Sequence, residues 1–222
     1  MTSVLEAMAA LRSEERRAPA SAATPPPASE EAIRLALQLR DIASREGGRV
    51  VLFVPGSRHG EASPAVGDAA CGLLALHDGP VLIMDLRDHA EAAATPKWIN
   101  ALVDDDELRL VGDEAGRNTA ALLRPLAGRP NQLQYASSSE FVSSVVDVRA
   151  RYPYVLCIGE AAPRSVPTLM MAGLADGVVL AVPPGQTTRS EMHEVTAKLQ
   201  RARAKLLGFV VDPRGTPRKG ER

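Results

Sequence analysis

Aromatic residues are scarce in this chain: one Trp, three Tyr and three Phe among 222 residues. A groove that stacks nucleobases needs such rings in numbers, so that mode of nucleic-acid binding is not expected. Neither charge is in excess. There are 26 Lys and Arg against 27 Asp and Glu, a formal net charge of -1, which argues against a broad basic footprint for nucleic acid. Cysteine is nearly absent. Cys71 and Cys157 both sit in apolar surroundings and read as buried free thiols of a reducing compartment. No apolar run approaches the ~20 residues that cross a bilayer. Glu6 and the charged stretch Arg12 to Arg17 interrupt any leader-like opening. A soluble cytoplasmic protein is therefore expected.

What is present, at 45% hydrophobic residues, is enough for one full core and one domain with spare chain at its ends. Residues 1–17 read as a helix with Val4, Leu5, Met8 and Leu11 on one face. It is either a frayed end or a docking helix. Residues 18–28, rich in Ala, Pro and Ser, form an extended linker. The globular part spans residues 29–212. It opens on a helix from Ser29 to about Glu46 that Gly47-Gly48 stops. Strands are expected at Arg49–Val54, Pro80–Asp85, Leu133–Ala136, Tyr154–Ile158, Gly177–Val182 and Leu206–Asp212. Helices are expected at Pro64–Leu76, Glu140–Arg151, Thr168–Leu174 and Thr187–Ala204, with two more within residues 95–127. Strands this apolar are covered on both faces. Their alternation with helices predicts a three-layer, doubly wound α/β fold around a mostly parallel sheet, of the P-loop NTPase type. Residues 213–222 form a short basic tail.

In an open α/β sheet, ligands sit beyond the carboxyl ends of the strands. Here the first strand runs into Pro55-Gly56-Ser57-Arg58-His59-Gly60-Glu61-Ala62-Ser63-Pro64 and then a helix. Strand, glycine-bearing loop and helix is the setting of a phosphate cradle, in which backbone N–H groups and the helix N-terminus meet an anion. A triphosphate needs more: a lysine on the β- and γ-phosphates, and a hydroxyl next to it for Mg²⁺. Those positions hold Ser63 and Pro64, and the glycine before them is Ala62. Ser63 as N-cap and Pro64 at the first helical position make a sound helix start and a poor triphosphate site. None of the chain's four lysines precedes residue 97. Arg58 is the nearest cation within the loop, with a geometry unlike a lysine point charge. At the end of the second strand Asp85 stands either as a residual acid or as a cap or loop anchor, and Arg87 takes the place of a second acid. The strand Tyr154–Ile158 continues into Gly159 and Glu160, with no aspartate where a metal-orienting one is expected. Ser57, His59 and Asp85 lack the elbow of a nucleophilic triad. The four histidines and two cysteines lack metal-ligand spacing.

With these strand ends in view, the chain resembles the bacterial tyrosine kinases of capsule and exopolysaccharide synthesis, P-loop proteins of the MinD and ParA type. The resemblance runs from about Ser29 to Asp212. It is most specific in Tyr152–Ile158, in Ala175–Val182, in Gln186-Thr187-Thr188-Arg189, and in Leu207-Gly208-Phe209-Val210-Val211-Asp212; the Gly60-Glu61 pair also fits. The resemblance implies ATP and Mg²⁺ as cofactors, a tyrosine cluster in the tail as the modified segment, and a Glu-x-x-Arg-x-x-Arg helix for ring assembly. Glu31 and Arg34 match that helix motif, Leu37 replaces its second arginine, and Arg40 follows one turn on. The last tyrosine is Tyr154. The loop, the metal acid and the acceptor segment all depart from the pattern together. The expectation is a non-catalytic pseudokinase without ATP, metal or nucleic acid. It would be partnered by the cytoplasmic part of a membrane polysaccharide co-polymerase at the inner face of the bacterial inner membrane, and self-association is possible. The alternatives are a divergent ATPase or tyrosine autokinase using Arg58 and Asp85, or a MinD/ParA-like positioning protein.

Overall fold

The computed structural model describes residues 25–44, 47–87, 103–104, 107–108, 110–112, 119–126, 131–162 and 165–212. The expected N-terminal helix, most of the linker and the basic tail lie outside these residues. In chain order the elements are α1 (Glu30–Arg40), β1 (Arg49–Pro55), α2 (Ser63–Ala75), β2 (Val81–Asp85), β3 (Val103–Asp104), β4 (Glu107–Leu108), β5 (Leu110–Gly112) and β6 (Thr119–Leu123). They continue as α3 (Gln132–Ala136), α4 (Ser139–Arg151), β7 (Tyr154–Ile158), α5 (Val166–Leu174), β8 (Gly177–Val182), α6 (Arg189–Arg201) and β9 (Leu206–Val211).

The sheet has seven strands in the order β5-β6-β2-β7-β1-β8-β9, and β3 and β4 form a separate two-stranded ribbon. All neighbours in the large sheet are parallel except the edge pair β5–β6. Alternation along each strand splits the core in two. Val51, Phe53, Val81, Ile83, Leu156, Ile158, Val179 and Ala181 face α1 and α2. Val50, Leu52, Leu82, Met84, Val155, Cys157, Val178 and Leu180 face α4, α5 and α6. Helices thus cover both faces, the three-layer doubly wound arrangement expected from strands apolar on both sides. Both cysteines are free thiols in this core.

Each helix starts for a local reason. Ser29 accepts the Ala32 N–H at 3.1 Å to cap α1, and Ser138 caps α4 through the Phe141 N–H. Thr188 and Glu191 close a reciprocal capping box at the head of α6. Helices α1 and α2 approach until a Cβ on Gly72 would lie 2.1 Å from the Ala32 carbonyl oxygen. Only glycine admits that contact between two backbones.

Three expectations change. Helix α1 ends at Arg40, capped by Asp41, rather than near Glu46. Ile42 turns inward to the core instead, and a turn closed by Ser44 Oγ on the Gly47 carbonyl leads to β1. Within residues 95–127 the described segments are strands and a turn, and the rest of that stretch, where two helices were expected, lies outside the described residues. Thr119–Leu123, despite helix-forming Ala and Leu, is buried throughout as β6 between β2 and β5, so tertiary burial overrides propensity. Leu133–Ala136 belongs to the short helix α3, not to a strand. Buried Tyr135 there meets Phe141 edge-on, 5.7 Å between ring centres.

At the amino end of the strands a buried ion pair ties sheet to helix. Asp176 accepts the Val50 N–H at 2.9 Å and an Nη1 bond from Arg149 at 3.1 Å. Asp176→Ala leaves a buried guanidinium and a strand N–H without this acceptor. Removing one member of a buried pair costs about 3–5 kcal/mol, so urea unfolding should show a loss of that size. A loss below about 1 kcal/mol, the scale of an exposed pair, would mean that the pair is solvated.

Candidate functional site at the carboxyl end of the sheet

The loop after β1 begins where the Gly56 N–H bonds the Ala181 carbonyl of β8 at 2.7 Å. A turn follows, closed by the Gly60 N–H on the Ser57 carbonyl. Ser57 is buried and Arg58 and His59 are exposed. The cap residue of α2 is Ala62, with no side-chain cap bond, and Ser63 and Pro64 are the first helical residues. The expectation that Ser63 caps the helix is therefore corrected. Its hydroxyl lies instead 3.4 Å from Arg87 Nη1.

Arg87 is the residue that the sequence reading did not bring to the loop. Beyond β2 the ladder continues for one step, with the Leu86 N–H on the Ile158 carbonyl, and the Arg87 side chain then runs toward the head of α2. Its guanidinium grips Asp85 as a fork, Nε on Oδ1 at 2.8 Å and Nη2 on Oδ2 at 2.7 Å. The Arg87 backbone N–H also donates to Asp85 Oδ1 at 3.2 Å. The remaining amino group, Nη1, donates to Glu61 Oε2 of the loop at 3.0 Å. Arg124, just past β6, adds its Nε 3.7 Å from Asp85 Oδ2. The side chains of Asp85 and Arg87 are 1% and 5% exposed and that of Glu61 is 30% exposed. Bidentate, charge-assisted and dry, this is the strong form of such a contact.

The electrostatics follow from burial. Burial opposes the charge on Arg87, but hydrogen bonding and charge from Asp85, joined by Glu61, outweigh it, and the guanidinium pKa rises. Burial raises the Glu61 carboxyl above the usual range, against the pull of Arg87. Burial likewise lowers Arg124, and Asp85 partly offsets that effect.

Asp85 is the residue that holds the Arg87 guanidinium. Arg58 does not point to Asp85; it pairs with Glu194 of α6 at 2.9 Å, which holds the Glu194 carboxyl below its usual range. On α1, Arg34 pairs with Glu30 rather than Glu31, and Arg40 pairs with Asp78 at 3.2 Å. Glu31 is held low by hydrogen bonds at the helix start, one of them from Ser29. Among the described residues no three His, Cys, Asp or Glu side chains converge as metal ligands.

No protein-family model matches the chain, and no curated protein matches it significantly. Solved structures do match. The VpsO kinase domain is 18% identical, with a TM-score of 0.56 over 82% of this chain and 95% of that one. The chimerical protein CapA2B2 is 14% identical, with a TM-score of 0.60 over 83% and 84%. The kinase domain of the Escherichia coli tyrosine kinase Etk is 12% identical, with a TM-score of 0.59 over 86% and 77%. At these identities the likeness establishes the fold: an α/β domain of the kind seen in bacterial tyrosine-kinase domains.

Two outcomes follow from the cluster. Arg87→Met leaves Asp85 buried without its forked partner, and should cost about 3–5 kcal/mol. Arg87→Met with Asp85→Asn should recover most of that loss in denaturant unfolding. If the single variant is as stable as the parent, the fork does not form. The second outcome concerns pH. A carboxyl whose folded pKa is raised contributes stability at acid pH and loses it as pH rises through that value. Glu61→Gln removes the loss, so its stability relative to the parent should improve as pH rises above the ordinary glutamate range, about pH 4. An opposite trend would mean that the Arg87 pair, not burial, governs Glu61.

Proposed function

We propose that this chain is a catalytically inactive pseudokinase, a partner module of polysaccharide export rather than a phosphotransferase. The observation that carries the reading is the occupation of the phosphate-loop end by Arg87, held between Asp85 and Glu61 beside Ser63. The residues present do not fit Mg²⁺-ATP. The lysine and hydroxyl positions are Ser63 and Pro64, and proline removes a donor from the helix start. Arg87 is a cation in the right region, but it is spent on two carboxylates. An incoming triphosphate would have to displace them, leaving Asp85 buried beside four further negative charges. An ATPase or autokinase built on Arg58 and Asp85 is disfavoured because each is committed to an internal partner.

What the module would do follows from the fold and the resemblance. A bacterial tyrosine-kinase domain without nucleotide retains its outer surfaces. It would bind the cytoplasmic part of a membrane polysaccharide co-polymerase and influence export or chain length of a capsule or exopolysaccharide. Among the described residues no helix is long and apolar enough to cross a membrane, so membrane association would come through that partner.

Titration calorimetry with ATP and Mg²⁺ tests the inactive reading. No saturable heat is expected at millimolar nucleotide, where a Kd near 1 mM corresponds to about -4 kcal/mol, and no phosphotyrosine should form on incubation. Micromolar affinity that depends on Mg²⁺ would overturn it.

A further inference from the structure

The sheet ends on β9, which has no strand on its outer side among the described residues. Natural edge strands are usually blunted by charge, proline or cover. Leu206–Val211 contains neither charge nor proline, and Phe209 is 66% and Val211 56% exposed. Pairing with β8 sets Phe209 beside Leu180 and Val211 beside Val182, so both side chains lie on the face that carries α4, α5 and α6. Val210 lies against the opposite core.

The backbone points the same way. In a parallel ladder, alternate residues of the edge strand turn their N–H and C=O inward and the rest turn outward. The Asp212 N–H bonds the Val182 carbonyl at 3.0 Å, which puts Asp212 and Val210 in the inward set. The peptide groups of Phe209 and Val211 face the outer edge. The exposed side chains and the outward hydrogen-bonding groups therefore belong to the same two residues.

We propose that β9 pairs antiparallel with β9 of a second copy of this chain, about a two-fold axis at Val210, joining two seven-stranded sheets into one. In this register Phe209 of each copy stands opposite Val211 of the other. The two equivalent pairs exchange four N–H···O bonds. Aromatic against β-branched is a favourable cross-strand pair, and here it occurs twice on one face. A shift of one residue would set Phe209 against Val210, which faces the other way. Pro213 ends the ladder because it has no N–H to give. The contact is isologous and closes at the dimer. It uses neither the phosphate loop nor α1, and so stands or falls apart from the pseudokinase reading.

The test is the solution mass of the full chain by light scattering across a dilution series. Two variants go with it. Val211→Pro deletes an outward N–H and none of the β8–β9 bonds, and Phe209→Lys puts charge on the shared face. A wild-type mass of twice the chain, halved in both variants with unchanged circular dichroism, is expected. Val210→Cys should cross-link to itself on mild oxidation, since facing residues at such a pair are ~4.5 Å apart, within disulfide reach. A single-chain mass at every concentration overturns the proposal. So does a monomer whose β9 amides become exchangeable only when residues 1–17 are deleted, which would make that segment the occupant. A dimer that survives both substitutions also overturns it.

Discussion

A buried arginine held by a forked carboxylate fixes the carboxyl end of this sheet. Arg87 and Asp85 come from one strand end, two residues apart, and neither is stable there alone. Taking either charge out of water costs several kcal/mol, and the attraction between them repays it only because the fork is complete. Once formed, the fork leaves the Nη1 amino group to spare, and that group reaches the loop after β1 through Glu61. The end of the second strand is thus joined to the loop after β1 by the chain's own side chains.

The rest of the fold supports that arrangement. β7 lies between β1 and β2, so the Arg87 side chain must pass over its end to reach Glu61, and the bond from Leu86 to Ile158 holds it on that course. The loop is pinned on its other side by the Gly56 bond to β8. At the opposite, amino end of the sheet the Asp176–Arg149 pair anchors the same β1 strand at its start. Two dry ion pairs thus clamp the two ends of the central strands, and the apolar layers between them supply the bulk of the stability.

The layered architecture was legible because the strands are apolar throughout and α1, α4, α5 and α6 open on capping residues. β1, β2, β7 and β8 lie within a residue or so of their expected limits for that reason. Residues 119–123 were not legible: Thr-Ala-Ala-Leu-Leu has helix propensity, and only the slot between β2 and β5 makes it a strand. Leu133–Ala136 misled in the other direction, since four residues hold too little periodicity to separate strand from helix. At the site, the missing lysine and hydroxyl were plain in the loop itself, but the cation that stands there was not. Arg87 was read as the loss of an acid. The signal for its role was the spacing Asp85-x-Arg87, which puts both side chains on one side of an extended strand end. What that spacing could not give was the reach to Glu61, because no local pattern shows which loop lies across a neighbouring strand. Arg58 looked nearer in sequence, yet Glu194, 136 residues away, claims it.

The most direct measurement is of the Arg87 guanidinium itself. In ¹⁵N NMR spectra assigned by Arg87→Lys, a guanidinium fixed on Asp85 and Glu61 gives a slowly exchanging Nε–H signal with restricted rotation of its amino groups. The account predicts that this signal is present in the free chain and does not move when Mg²⁺-ATP is added to millimolar concentration. A signal absent from the free chain, or one that shifts saturably with nucleotide, would contradict it.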